Sequence, residues 1–413
     1  MVAGLLLAKA GLRVLVLEQG PDFAREYRGE VLMPRFTQMM RQIGLFEFLE
    51  KYPHRKLTGL EGFYKNRLLL RIGIDQIAPE APFAIWMPQP VMLGALHDKS
   101  KELPSFELWF GARVKDAVEE DGRTIGVMVI KNHEEILIRS KVVVGADGRF
   151  SVLRKFEKFK LDHESHKFDL VWFTVPEPAG YNHQVGFYLS QGRNYLILPK
   201  HPNALQVGVV IGAGEYTRLH KEGIDAFRRI LLETHQPVIE KFAREVKDFD
   251  SFNVLQAKIE HVEKWAKDGI VLIGDAAHTC SPAGAIGVSV AVETAIVTAD
   301  VIRDCFRRGD FSANALGKIQ QIRDNDVRGI LKMQERVSAL LFPKSEVSRK
   351  WIMPFTLFVI ARLGLFKNIQ RRLMVLPSAL PVSKDLGFIG ENWGEVRDLN
   401  PQRPDPQSGA LPG

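Results

Sequence analysis

Residues 270 to 289 read Ile270-Val271-Leu272-Ile273-Gly274-Asp275-Ala276-Ala277-His278-Thr279-Cys280-Ser281-Pro282-Ala283-Gly284-Ala285-Ile286-Gly287-Val288-Ser289, and a small-residue run continues to Asp300. Four apolar residues, Ile270 to Ile273, predict a buried parallel strand. Gly274 and Asp275 end it, and Pro282, Gly284 and Gly287 make a tight loop. Val288 to Asp300 then has helical spacing. In an open parallel sheet, ligands sit at the carboxyl ends of the strands. A carboxylate there suits a sugar hydroxyl, glycines let backbone approach a ligand closely, and a helix N-terminus favours negative charge. The stretch describes a site for a polyol-bearing cofactor that becomes anionic. The blander reading is an ordinary strand-turn-helix of another α/β domain, and the stretch alone favours the cofactor site over it.

Working outward, a second buried strand ends in a similar way. Val142-Val143-Val144-Gly145-Ala146-Asp147-Gly148-Arg149-Phe150-Ser151 runs from apolar residues into an Asp-Gly turn, and Ser151 is placed to cap a short helix. At the amino end, residues 2 to 10 are helix-like, Gly11 is a C-cap, Leu12 to Leu17 form a strand, and Glu18 sits at its end. Helix, glycine, strand and acid make the second half of a dinucleotide-binding βαβ unit, whose acid binds the adenosine ribose. The glycine fingerprint that should lie about 20 residues before that acid is missing. The chain is therefore expected to be an N-terminally truncated form of a longer reading frame. On that expectation it binds its cofactor poorly and aggregates more readily than a form carrying the first strand.

The two strand-end motifs, in this order and spacing, resemble the flavoprotein aromatic hydroxylases, the para-hydroxybenzoate hydroxylase-like monooxygenases. The Gly-Ala-Asp-Gly-x-x-Ser-x-x-Arg form is complete from Gly145 to Arg154. Gly274, Asp275, Ala276, Ala277, His278 and Pro282 match the second motif. Ala285 stands where a glycine is common, Ser289 replaces an Asn, and Thr294 replaces an acid. The resemblance implies FAD as cofactor and NADH or NADPH as co-substrate. The reaction it implies is hydroxylation by molecular oxygen of a small, aromatic or polyketide-like molecule. It further implies that Asp275 holds the ribityl chain, Asp147 and Gly148 the cofactor's other side, and Glu18 the adenosine ribose. Gly274, Pro282, Gly284, Gly287, Val288 and Ser289 would form the loop and helix start beside the flavin. Arg28, with Arg35 as a weaker candidate, and Gln89 match positions near the cofactor. No catalytic base is assigned.

The expected fold is α/β: a three-layer dinucleotide-binding FAD domain lacking its first strand, an inserted antiparallel-sheet substrate domain, and C-terminal helices. Residues 1–56, 86–160 and 263–345 would form the FAD domain. Residues 57–85 would be strands joining the substrate sheet, with a hairpin over 57–73, 161–262 the substrate domain with one long helix from Leu219 to Asp248, 346–398 a helical region, and 399–413 a disordered tail. Trp172, Phe173, Phe187, Tyr188 and Tyr195 are candidates for an apolar pocket, with core packing the blander reading.

Composition narrows the partners. The 413 residues are 46% hydrophobic and 25% charged, ordinary for a soluble globular chain. The net charge of +7 comes from scattered basic residues rather than a stripe, which argues against nucleic acid. The two cysteines, Cys280 and Cys305, have neither disulfide-framework nor metal-ligand spacing, which fits the cytoplasm. The apolar run 351–366 is too short for a span and contains Pro354 and Arg362, so at most peripheral membrane contact is expected. A monomer or homodimer is expected. The halogenases that share both motifs carry Trp-x-Trp, which does not occur here. The rival readings are a flavin-dependent isoprenoid double-bond reductase and a non-catalytic, FAD-deficient binding protein.

Overall fold

In a computed structural model, the strand-end motifs are brought side by side by direct parallel pairing. Val143–Gly145 lies against Ile270–Leu272 with Val144 opposite Val271. The structure describes residues 1–24, 30–65, 67–181, 184–189, 193–341, 356 and 365–389. The Ile270–Leu272 strand is fully buried, as an apolar run in a parallel pair requires. A second parallel pair joins Val14–Leu17 to Phe106–Trp109. Among the described residues neither Val14–Leu17 nor Val143–Gly145 pairs along its other edge, and residues of both strands line one cavity. The helix Val2–Lys9 ends at Gly11, which holds φ +84°, the left-handed conformation its C-cap position calls for.

A mixed eight-stranded sheet forms the second layer. It runs from His278–Thr279 through Asn253–Val262, Leu161–Pro176, Ala204–Gly212, Tyr195–Lys200 and Val185–Leu189 to the hairpin Gly59–Tyr64 and Arg67–Gly73. That hairpin is the expected one, and its first strand pairs in parallel with Val185–Leu189. Side chains alternate across the sheet with period two. Val171, Phe173, Val207 and Val209 pack under one face. Phe168, Leu170, Trp172 and Leu198 belong to the main core on the other.

One expectation about the helices is corrected. The stretch Leu219 to Asp248 is not one helix but parts of three, Glu215–Glu222, Ile224–Leu232 and Pro237–Glu245. Gly223 at φ +91° breaks the first junction, and Pro237, which cannot donate within a helix, starts the third. The stretch from Phe36 to Leu49 is likewise divided between two helices, Pro34–Gln42 and Phe46–Leu49, separated at Gly44 with φ +68°. Glu134–Arg139 adds a third strand to the Arg113–Glu120 and Arg123–Lys131 hairpin, which a charged, half-exposed sequence concealed.

The helix Gly287–Arg308 is the axis to which the other elements are tied. Its Glu293 is fully buried and accepts from Arg35 on Pro34–Gln42 and from Arg323 on Lys318–Leu341. Both arginines also reach Asp326. Arg35 is thus neither a surface residue nor a cavity residue; burial lowers its proton affinity, and the Glu293 and Asp326 carboxylates more than restore it. The acid sought at position 294 sits one residue earlier. Thr294 does something else: its hydroxyl donates to the Val290 carbonyl at 3.0 Å and lies 2.9 Å from His278 Nε2. That arrangement makes Nε2 the protonated ring nitrogen.

Glu293→Leu removes the buried carboxylate between two buried guanidiniums and leaves them only the part-exposed Asp326. The variant is expected to lose about 3–5 kcal/mol of unfolding free energy, read from the urea midpoint at unchanged m. His278 gives a pH signature. Burial first, then the Arg323 charge, pushes it from 6.5 down to about 3. Its neutral form is favoured in the fold, so its contribution is complete above the unfolded pKa and declines as pH falls. Between pH 6.5 and about 3, wild type should lose up to about 1.4 kcal/mol per pH unit relative to His278→Gln. Parallel pH curves for the two proteins would contradict this.

Candidate active site

The cavity between the layers has a volume of about 1970 Å³. Its rim is built from the strand ends. Asp147 and Gly148 follow Val143–Gly145, and Gly274 and Asp275 follow Ile270–Leu272; all four residues line the cavity. Pro282, Gly284, Gly287 and Val288 continue the rim into the helix Gly287–Arg308, while Glu18 and Gln89 line the far part. One sequence-derived candidate is not brought in. Ser289 is buried at 1% exposure, its Oγ without a partner, and does not line the cavity. The first helical turn rotates residue 289 away from the face that presents Val288, Ala291 and Val292. Arg28 lies outside the described residues.

The two aspartates play different parts. The carboxylate of Asp147 accepts from Ser151 Oγ at 2.6 Å and from the Val152 and Leu153 amides at 2.7 and 3.2 Å. It caps the helix Val152–Phe156 together with Ser151, whose Oγ accepts from the Arg154 amide at 2.9 Å. Its side chain is therefore occupied by its own helix, and the turn offers the cavity Gly148, whose φ is +80° and whose missing Cβ would meet nothing. Asp275 is half-buried, and Arg149 Nε donates to its Oδ2 at 3.0 Å. Its Oδ1 has no partner among the described residues.

Arg149 was not singled out from the sequence. Besides Asp275 it donates to the Gln256 carbonyl at 2.7 Å and lies 3.5 Å from that of Cys280, so it joins both motifs to the sheet. A guanidinium directly after an Asp-Gly turn was the available signal. Gln334 was also missed. It accepts from the Ser281 amide at 3.0 Å and donates to the Ser281 and Ala283 carbonyls at 2.8 and 2.7 Å, clamping the loop from the helix Lys318–Leu341. Only the fold brings residues 50 apart in sequence together. Ala285 holds φ +51° in that loop, which explains why glycine is the easier residue there.

The rim fits FAD. Gly284 at φ +84° and Gly287 keep the loop backbone open, since a Cβ would meet nothing closer than 3.5 Å at the first and 3.6 Å at the second. The helix behind it begins at Ile286 without a side-chain cap, leaving first-turn amides for an anion. The opposite wall is apolar. Trp172 and Phe187 line it, and Tyr188 and Tyr195 reach it while packing in the other core; Phe173 lies wholly on the other face. Neither free cysteine is activated: both are buried, and burial raises their thiol pKa values.

Among the described residues no helix is long and apolar enough to cross a membrane. The run 351–366 falls almost wholly outside those residues, as does the tail 399–413.

Comparison with known proteins agrees with this geometry. The family model described as "FAD binding domain" matches residues 1–307. The 6-methylpretetramide 4-monooxygenase of Streptomyces rimosus is 25% identical over 392 residues, covering 95% of this chain and 93% of that one. A 1H-pyrrole-2-carbonyl-[peptidyl-carrier protein] brominase of Pseudoalteromonas luteoviolacea is 25% identical over 75% of this chain and 76% of its own. The fold is that of PqsL of P. aeruginosa, solved with 2-aminobenzoylacetate: TM-score 0.72, 20% identity, 87% of this chain and 96% of that one. The chain belongs to the FAD-binding-domain family and is an FAD-dependent oxidoreductase of the aromatic-hydroxylase type.

Proposed function

We propose that the protein is a monooxygenase that uses NADH or NADPH and oxygen to hydroxylate a small aromatic or polyketide-like molecule in this cavity. The observation that carries the reading is the juxtaposition across one cavity. Two strand-end motifs and an uncapped helix N-terminus face the Trp172 and Phe187 wall of the sheet. The Streptomyces relative is named for the 4-monooxygenation of 6-methylpretetramide, which supports a planar, oxygenated substrate. When bound, FAD supplies the oxygen-activating redox chemistry. The chain supplies position and charge. On this reading Asp275 Oδ1 accepts from a cofactor hydroxyl, the Gly148 turn and the loop at Gly284 and Gly287 admit the cofactor closely, and the amides at Gly287 and Val288 stabilise negative charge. Gly274 and Pro282 shape that loop. Glu18, whose Oε1 accepts from the Gly20 amide at 2.9 Å, is the ribose ligand, and Gln89 is a further cofactor contact. On the same reading residues 1–56, 86–160 and 263–345 serve the cofactor, and 57–85 and 161–262 the substrate sheet. The protein acts as a cytoplasmic monomer or homodimer on a small molecule, without nucleic acid or membrane partner.

With FAD in excess, NADH or NADPH oxidation should rise, with matching oxygen uptake, on adding a member of a panel of phenols and polyketide-like aromatics. A slower substrate-free oxidation should release peroxide. No oxidation of either nucleotide across the panel would remove the reading. Asp275→Ala should weaken FAD binding by about 1.5–3 kcal/mol, about 10- to 150-fold in Kd, as expected for a lost charge-assisted bond. Glu18→Ala should cost less. Equal FAD affinity in wild type and Asp275→Ala would count against the assigned role.

A further inference from the structure

Within the apolar wall, one buried polar side chain faces inward with a fixed polarity. Gln206 is 3% exposed on the strand Ala204–Gly212 and lines the cavity. Its Oε1 accepts from Trp86 Nε1 at 3.0 Å. An indole N–H is a donor and nothing else, so the oxygen of the amide must face Trp86. The amide nitrogen then faces the other way. Among the described residues it has no hydrogen-bond partner, and it opens on the cavity instead of being sealed in the core. Gln206 therefore presents N–H donors, and no acceptor, to whatever fills this part of the cavity.

An aromatic surface lies next to it. Trp172 pairs across strands with Gly208, two residues beyond Gln206 on the same face. A Cβ at Gly208 would stand 2.6 Å from the Trp172 ring, so the glycine is what lets the indole lie over the strand. Leu196 and Leu198, opposite Gly208 and Gln206 on the next strand, complete an apolar floor.

We infer that Gln206 is a specificity-determining residue that donates to a carbonyl or phenolate oxygen of a substrate whose ring packs on Trp172. The inference rests on the reading of the cavity as an aromatic-substrate site and adds to it the position and sense of one polar contact. A ligand lacking an acceptor there leaves the amide unpaired, which is how a single buried donor discriminates.

The test uses the full chain with FAD in excess and a shape-matched pair of probes, 1-indanone and indane, with Kd values from equilibrium dialysis. Two variants are compared with wild type. Gln206→Leu removes the donors. Gln206→Met offers Trp86 a thioether, a weak acceptor, and presents no donor to the cavity, so it covers the case in which leucine disturbs Trp86. The ratio of the indane Kd to the indanone Kd should fall about 3- to 10-fold in both variants, the worth of one net hydrogen bond. An unchanged ratio in either variant overturns the role of Gln206 and leaves the aromatic site standing. Failure of wild type to bind either probe overturns the aromatic-site reading, and Gln206 with it.

Discussion

Three residues of parallel pairing, Val143–Gly145 against Ile270–Leu272, set the geometry on which the site depends. Because the two strands run the same way, both carboxyl ends emerge on the same rim, and each is followed by an Asp within two or three residues. An antiparallel pairing would have sent the two motifs to opposite ends of the sheet. The pairing alone does not hold the rim closed. Arg149 does so by bonding Asp275 and two carbonyls beyond it, and the loop that follows is held from below by Gln334. The rim is thus assembled from four separated segments.

Much of this was legible because it is local. Apolar runs ending in Gly-Asp or Asp-Gly identify buried strands and their mouths, and Ser151 caps its helix where its spacing says it should. Gly11 and the hairpin at residues 59–73 follow the same logic. What escaped depends on contacts across the fold. The helix register turns Ser289 into the core, although one residue earlier Val288 faces the cavity. The acid sought at Thr294 was present at Glu293, but its role, joining Arg35 to Arg323, needs two helices whose packing no spacing reveals. Gln206 carries no signal in the sequence; the orientation of its amide is fixed only by Trp86, 120 residues away.

Charge in the molecule is divided between structure and site. The cluster of Arg35, Glu293 and Arg323, with the part-exposed Asp326 beside it, ties three helices together without touching the cavity. At the rim, by contrast, Asp275 keeps one oxygen open and the helix beginning at Gly287 keeps its first amides open. Buried ionic groups demand full pairing, whereas groups meant for a ligand must be left incomplete. That contrast separates the structural arginine at position 35 from the positioning arginine at 149, which the sequence alone had not done.

The most direct test of the account follows the oxygen atom. The chain, supplied with excess FAD and a reduced nicotinamide nucleotide, is incubated with an accepted aromatic under ¹⁸O₂, and the product is analysed by mass spectrometry. The account predicts one labelled oxygen from the gas in the product and none from labelled water. A product that has gained hydrogen without oxygen, or one whose oxygen comes from water, would contradict it.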